Sequence, residues 1–367
     1  MGEIRLLDMG LAPSLRSQTL YHALAHGMTS DDPDTVLLVS PIDPYVCVGF
    51  HQDIEREVDL ALCQAEGLPV YRREVGGGAV YLDRNQIFTQ WVFHREQLPS
   101  SVESRFELHA RPLVETYRAL GIDAQYRPAN DIQVRGRKIG GMGAASMGEA
   151  EVVVSSLMFD FDSPRMARVL NVSSEKMRDK VYQSLREYMT TMSRELAAVP
   201  DRDEVKAIYC DKLHEALGVE IVSGVLTERE LSALEEWDRL FLTREWLYQR
   251  GHPLQPGVKI HDGVTVAEGV RKAPGGLIRA LVRLRDGHVD DLQLSGDFTM
   301  LPATALPALE TSMCGLEARA GSLLDRVEER YAALGIRSPG VGPEDFVAVV
   351  LSAIGQTEKR SALEPTV

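Results

Sequence analysis

The chain is poor in several things, and each shortage removes a class of protein. Its 367 residues hold only 4 cysteines, Cys47, Cys63, Cys210 and Cys314, widely spaced and without a C-x-x-C pair. That excludes a disulfide-dense scaffold and fits a reducing cytoplasm. Basic residues are outnumbered, 40 against 54 acidic ones, for a formal charge of −14. Such a balance argues against a general nucleic-acid or anionic-membrane binder, which needs a basic footprint, but leaves room for a local basic pocket. No apolar run approaches the roughly 18 residues of a spanning helix. The opening MGEIRLLDMGLAPS lacks a basic stretch followed by an apolar one, so neither a signal peptide nor a membrane anchor is expected. There is no internal repeat or low-complexity tract.

What is present is ordinary globular composition, 44% hydrophobic and 26% charged, at a length that implies two domains, possibly three. Apolar spacing predicts a helix over 14–28, strands over 35–40 and 45–49, a helix over 53–66, and a strand over 69–73 that runs into three glycines. Strands at 78–81 and 87–93, a helix at 102–120, and a strand meander over 132–134, 137–139 and 152–161 follow. Two or three helices fill 163–217, with Asn171 as a cap or turn residue. Close strand pairs imply antiparallel or mixed pairing, so the expected class is α+β. The expected division is a first domain at 1–222, a helical linker and hinge at 223–257, a small α+β domain at 258–356, and a flexible tail at 357–367. Gly251-His-Pro-Leu-Gln-Pro-Gly257 marks the hinge.

Two glycine-rich elements carry the chemistry. The first is Arg72-Arg-Glu-Val-Gly-Gly-Gly-Ala-Val-Tyr-Leu-Asp83, with Gly76, Gly77 and Gly78 in a row. The second is Gly136-Arg-Lys-Ile-Gly-Gly141. Glycine lets backbone come very close to a ligand, and the flanking arginines with Lys138 supply fixed positive charge for a carboxylate or phosphate. The pattern is that of an enzyme that activates an acid with a nucleotide. Each residue also has a plainer reading. The triplet is either a ligand-wrapping loop or a hairpin turn, although a hairpin rarely needs three glycines. Lys138 is either catalytic or a solvated strand lysine. Arg72 and Arg73 alternate in direction on a strand, so at most one faces a pocket. Ala79 and Val80 are ligand contacts or core. Asn130-Asp131 forms either a Mg²⁺ site through Asp131 or an Asx turn. Lys176, Lys180 and Arg186 lie on a charged helical stretch, which by itself reads as a solvated face. His22 and His26 are spaced i, i+4, but no third ligand stands nearby, so a surface helix is expected rather than a metal site.

In these segments the chain resembles the lipoate–protein ligase A family, within the biotin/lipoate ligase fold. The 72–83 segment is similar to the family's R-R-x-S-G-G-G-A-V-x-H-D loop. Asn130-Asp-Ile132 with Gly136 to Gly141 is similar to its N-D-[ILV]…G-[RK]-K-[IV]-[SA]-G segment. The stretch Glu175 to Arg186 sits where the family has an adenylate-binding loop. Lys259-Ile260, Gly275 to Arg279 and Leu294 to Phe298 are similar to its accessory domain, which the family ties to closure during adenylate formation. Val75, Leu82 and Gly140 depart from the family's serine, histidine and serine or alanine, and Val153 to Ser156 stand where many members have histidine and glycine. These departures bear on the acyl group or acceptor and leave the lysine intact.

The resemblance implies a two-step reaction with ATP, Mg²⁺ and lipoate. Lipoyl-adenylate forms first, and the acyl group then passes to a lysine of a lipoyl-domain acceptor. That acceptor would be a 2-oxoacid dehydrogenase subunit, a glycine-cleavage H-type protein or a specialised lipoate-binding protein. Lys138 is the catalytic residue so implied. Arg72, Arg73, Gly76 to Gly78, Ala79, Val80, Asn130, Asp131, Gly140, Gly141, Lys176 and Arg186 are the binding residues. A cytoplasmic monomer without nucleic-acid or membrane partners is expected. Two rivals remain: a lipoyl or octanoyl transferase using a preformed donor, and a non-catalytic lipoyl-domain adapter. Cysteine-dependent octanoyltransferases carry a thiol just before the N-D segment, where Tyr126-Arg-Pro-Ala129 has none, so that route lacks a local nucleophile.

Overall fold

The computed structural model describes residues 3–172, 174–249, 259–261 and 264–361. By their contacts they form two units. The proline–glycine hinge expected at 251–257 lies outside the described residues.

The first unit runs to residue 249 apart from 49–53 and 76–78. It contains β1 (Glu3–Ala12), α1 (Arg16–His26), β2 (Thr35–Pro41), β3 (Tyr45–Val48), α2 (Ile54–Glu57), α3 (Leu60–Ala65), β4 (Val70–Arg72), β5 (Val80–Leu82), β6 (Gln86–His94) and α4 (Val102–Ala119). Then come β7 (Ala124–Arg127), β8 (Asp131–Val134), β9 (Arg137–Gly141), β10 (Gly143–Met147), β11 (Ala150–Met158), α5 (Ser163–Val169), α6 (Glu175–Tyr188), α7 (Met192–Glu195) and α8 (Arg202–Leu217). β12 (Glu220–Ser223), α9 (Glu228–Phe241) and α10 (Arg244–Leu247) complete it.

A six-stranded sheet in the order β10-β11-β6-β2-β1-β12 is the frame. β6 and β11 pair antiparallel along nine residues, and β2, β1 and β12 run parallel. Eight of the nine residues of β6 are buried, because the strand is covered on both faces. On one face Ile87, Trp91 and Phe93 pack with Leu113 and Tyr117 of α4 and Tyr209 and Leu213 of α8. On the other, Gln90 Nε2 donates to the Ser17 carbonyl of α1 at 2.8 Å. Burying Trp91 or Phe93 is worth roughly 2–3 kcal/mol each. Two small sheets attach to the frame, β4-β3-β5 and β7-β8-β9.

The second unit builds an antiparallel sheet from β13 (Lys259–His261), β14 (Val264–Ala273), β15 (Gly276–Arg285) and β16 (His288–Gly296). Helices α11 (Leu306–Met313), α12 (Ala320–Leu334) and α13 (Pro343–Ser361) cover it. Ile278, Ala280, Val282, Leu294, Phe346 and Val350 are among the residues at its core. The fold is α+β with mixed and antiparallel sheets.

Several local expectations needed revision. The single helix expected over 53–66 is broken into α2 and α3, because Val58 bridges Leu170 and the Asp59 side chain caps α3 through the Leu62 amide at 3.0 Å. The stretch 163–217 holds four helices, α5 to α8. Strands β1, β7, β10 and β12 escaped the apolar pattern. β1 carries an irregularity at Asp8/Gly10, β7 and β12 are largely exposed, and β10 is built of glycine, alanine and serine between methionines. β4 and β5 both pair with β3 and not with each other. The glycine triplet between them is therefore not a hairpin turn.

Candidate active site

The second glycine element folds as the β8–β9 hairpin. Its two-residue turn, Arg135-Gly136, has positive φ at both positions, 50° and 80°. That is the backbone that matches strand twist and explains Gly136. Past the turn, Lys138 lies on β9 with its side chain folded back across Gly141. A Cβ on residue 141 would stand 2.7 Å from Lys138 Nζ and 2.8 Å from Cε. The missing side chain of Gly141 is thus the space the lysine uses. Gly140 meets no such demand, since a Cβ there would make ordinary contacts with Ser156 and Ile132.

The lysine ammonium ends 2.7 Å from Asp131 Oδ1, with the Lys138 side chain about a quarter exposed. The other carboxylate oxygen, Asp131 Oδ2, accepts a hydrogen bond from the Tyr188 hydroxyl at 2.8 Å. Burial and the Asp131 carboxylate push the Tyr188 phenol up to about 12, so it stays a donor at any ordinary pH. Asn130 uses its amide on the Met142 carbonyl at 2.8 Å, so neither member of the pair spends its side chain on an Asx turn. Among the described residues no group of three or more His, Cys, Asp or Glu is arranged to hold a metal.

Helix α6 is tied to this spot by backbone. Its last turn carries Tyr188, Met189 bridges Lys138, and the Thr190 amide donates to the Lys138 carbonyl at 2.8 Å. Lys176, Lys180 and Arg186 are exposed along the same helix. Glu195 then collects the two arginines of the hairpin, Arg137 at 2.7 Å and Arg135, together with the Thr190 hydroxyl at 2.5 Å. Burial alone would raise the Glu195 carboxyl, but the Thr190 and Arg135 hydrogen bonds and the Arg137 charge outweigh it and hold the group below its usual range. Tyr188 and Glu195 carry no signal in the sequence, because Tyr188 is 57 residues from Asp131 and Glu195 is 60 and 58 residues from Arg135 and Arg137.

The two arginines of the first element part company. Arg72 is fully buried; its Nε donates to the Leu247 carbonyl at 2.9 Å, and its own carbonyl accepts from Trp246 Nε1 at 2.9 Å. Arg73 is half-buried, with Nη1 on the Cys47 carbonyl at 3.2 Å. Ala79 and Val80 are half-buried at the start of β5. Residues 76–78 group with the second unit. Within it, a Cβ on Gly76 would meet Phe298 O and Thr299 Cα, each at 2.7 Å, and one on Gly49 would meet Gly77 O at 1.9 Å. Two of the close approaches that glycine permits are thus made to protein backbone.

The H-x-x-x-H pair also has a use that spacing did not reveal. His22 is not on a surface but wholly buried. Its Nδ1 lies 2.7 Å from the Gln18 carbonyl and its Nε2 accepts the Glu74 amide at 3.1 Å. Those partners fix a neutral ring protonated on Nδ1. Burial depresses His22 to about 3. His26 stacks on Trp237 at 4.5 Å and meets the Glu74 carboxylate at 2.7 Å. Both histidines therefore hold Glu74, two residues before the triplet.

The family described as the lipoyl protein ligase A/B catalytic domain matches residues 15–214. The octanoyltransferase LipM of Kyrpidia tusciae is 26% identical over 274 residues, 67% of this chain and 98% of its own. The solved bipartite lipoate protein ligase of Thermoplasma acidophilum, described with its E2 lipoyl domain, is 26% identical with a TM-score of 0.61, covering 69% of this chain and 99% of that one. A lipoate-protein ligase A solved with ATP shares the fold at 24% identity and TM-score 0.58, over 67% of this chain and 98% of that one. The family match spans both glycine elements, Lys138 and α6, and on that ground the chain belongs to the lipoyl protein ligase A/B family, with the biotin/lipoate ligase fold.

Proposed function

We propose that this protein is an ATP-dependent lipoate–protein ligase. The observation that carries the reading is the Lys138 ammonium, laid across Gly141 and held 2.7 Å from a carboxylate. A cation so placed accepts a substrate carboxylate in place of Asp131. At about 4 Å and an effective dielectric near 20 the attraction is on the order of 4 kcal/mol before desolvation.

In the first step a lipoate carboxylate oxygen attacks the α-phosphorus of ATP, and the bond to pyrophosphate breaks. Lys138 holds the carboxylate and neutralises charge that builds on the phosphate. In the second step an amine of the acceptor attacks the acyl carbon, the bond to AMP breaks, and the amine gives up its proton. Lys138 then stabilises the acyl oxygen. The resemblance assigns nucleotide and acyl-chain contacts to Arg73, Gly76 to Gly78, Ala79, Val80, Asn130, Gly140, Gly141, Lys176 and Arg186. Arg72 serves only if its buried guanidinium leaves the Leu247 carbonyl. Asp131 is the carboxylate for a Mg²⁺ ion brought with ATP, which would supply charge neutralisation on the phosphates. A lipoyl domain is the acceptor, as with the Thermoplasma ligase described with its E2 lipoyl domain.

A transferase reading draws support from the octanoyltransferase relative. Against a thioester route stands the placing of the thiols: none of the four cysteines lies on β7, β8, β9 or α6. Cys47 is buried, and burial pushes its thiol up. Lipoate-dependent ATP–pyrophosphate exchange tests the proposal, with wild type, Lys138→Ala and octanoate in parallel. Exchange that needs the acid and falls by orders of magnitude in the variant supports it. A folded wild type without exchange overturns it in favour of a transferase or an adapter.

A further inference from the structure

Resting on the ligase reading, we propose that Tyr188 is a positioning residue that holds Asp131 while Lys138 changes partner from Asp131 to the substrate carboxylate. Four contacts converge on this role. Asp131 gives one oxygen to Lys138 Nζ at 2.7 Å and the other to the Tyr188 hydroxyl at 2.8 Å. Tyr188 sits on the last turn of α6, and the next two residues are joined to Lys138, Met189 by a backbone bridge and Thr190 by its amide on the Lys138 carbonyl at 2.8 Å. The phenol and the lysine therefore share one carboxylate and one stretch of backbone.

The physical argument concerns what is left behind. When a substrate acid draws the ammonium away before ATP and its Mg²⁺ arrive, Asp131 loses its counter-charge in a half-buried setting, where an uncompensated carboxylate is costly. A donor that stays on the second oxygen lowers that cost. It also weakens the resting Lys138–Asp131 attraction, because a hydrogen bond from the phenol draws carboxylate charge toward itself. Tyr188 thereby biases the lysine toward substrate without touching it. Tyr188 is 42% exposed, so removing the hydroxyl leaves the core undisturbed.

The test is a double-mutant cycle on acid binding. Dissociation constants for lipoate, without nucleotide, are measured by calorimetry for wild type, Tyr188→Phe, Asp131→Asn and the double variant. Pyrophosphate exchange is followed for the KM and kcat of the same four proteins. Tyr188→Phe is expected to weaken lipoate binding about fivefold and to raise KM with little change in kcat. In the Asp131→Asn background the same substitution should do nothing, because the charge it tends is gone. A role in packing alone would move the thermal midpoint and leave the coupling at zero. Lipoate binding unchanged in Tyr188→Phe, or weakened equally in both backgrounds, overturns the proposal while leaving the ligase reading in place. Absence of lipoate binding to wild type removes the ligase reading, and this inference with it.

Discussion

Lys138 rests its ammonium over the Cα of Gly141, so close that a Cβ there would stand 2.7 Å from Nζ. The residue three places on has no side chain because the lysine occupies that volume. This relationship separates stability from activity, since the atom that would be displaced is the end of a flexible chain.

Gly141→Ala should therefore fold with nearly unchanged stability, within about 0.5 kcal/mol by urea unfolding, because Nζ can swing aside. Lipoate-dependent exchange should fall about a hundredfold, since a misplacement on the order of 1 Å at a reacting centre has that effect. Gly140→Ala, at a site with ordinary contact distances, is the control and should retain most of the activity. Equal activity in the two variants would remove Gly141 from the account of the site.

Two buried neutral histidines set the acid limb of stability. Burial holds His22 and His109 at about 3, against 6.5 for the unfolded chain. Their folded-state pKa is depressed, so unfolding takes up a proton at each. Their contribution is complete above pH 6.5 and is lost as pH falls from there toward 3. Each adds a slope of up to about 1.4 kcal/mol per pH unit. Neither ring nitrogen of His109 has a hydrogen-bond partner among the described residues, and the ring packs 4.6 Å from Trp91. His109→Leu should raise stability at pH 5 by about 1 kcal/mol or more and reduce the slope between pH 6 and 5. An unaltered slope would mean that His109 is already protonated in the fold.

A buried ion pair stands on α4 and β11. Arg105 and Glu151, exposed by only 2% and 1%, meet at 2.5 Å, with Arg95 at 3.2 Å and Ser146 at 2.8 Å on the same carboxylate. Arg105→Ala should cost up to about 3 kcal/mol, because it takes away the buried counter-charge and leaves the carboxylate only Arg95 and the Ser146 hydroxyl. The double variant Arg105→Met/Glu151→Leu should recover most of that loss. A double variant as unstable as the single one would show that the pair contributes net stability, a result that chemical denaturation would read directly.

What the sequence disclosed, and what it withheld, divides by distance along the chain. The glycine triplet and the lysine with its glycines were legible, because runs of glycine beside fixed charge need a local reason. Gly136 and Gly141 turned out to have separate ones, a left-handed turn and the bed for a side chain. The strands of the small sheets could be read, but not that β4 and β5 flank β3, since order across a sheet is not written in apolar spacing. His22 looked like a surface residue because nothing near it in sequence says that α9 covers α1, with Asp238 on Thr19 at 2.6 Å and Trp237 on His26. Tyr188 and Glu195 carried no signal at all. A tyrosine ending a charged helix and a glutamate ending a four-residue one are ordinary until the fold sets them against Asp131 and Arg137.

Arg72 bears on how the protein can be dissected. Its guanidinium is sealed by the carbonyl of Leu247, and Trp246 holds its backbone from the same helix. A shortened protein that stops at residue 222, one residue before the end of β12, would lose α9 and α10 together. It would bring a cationic group and the aromatic flank of α1 into water at once. Such a fragment should be prone to self-association, and its behaviour would say little about the intact protein. One that stops at 249 keeps that roof, but residues 76–78, which group with the second unit, would lose Phe298 and Thr299 as neighbours, so the full chain is the protein to study.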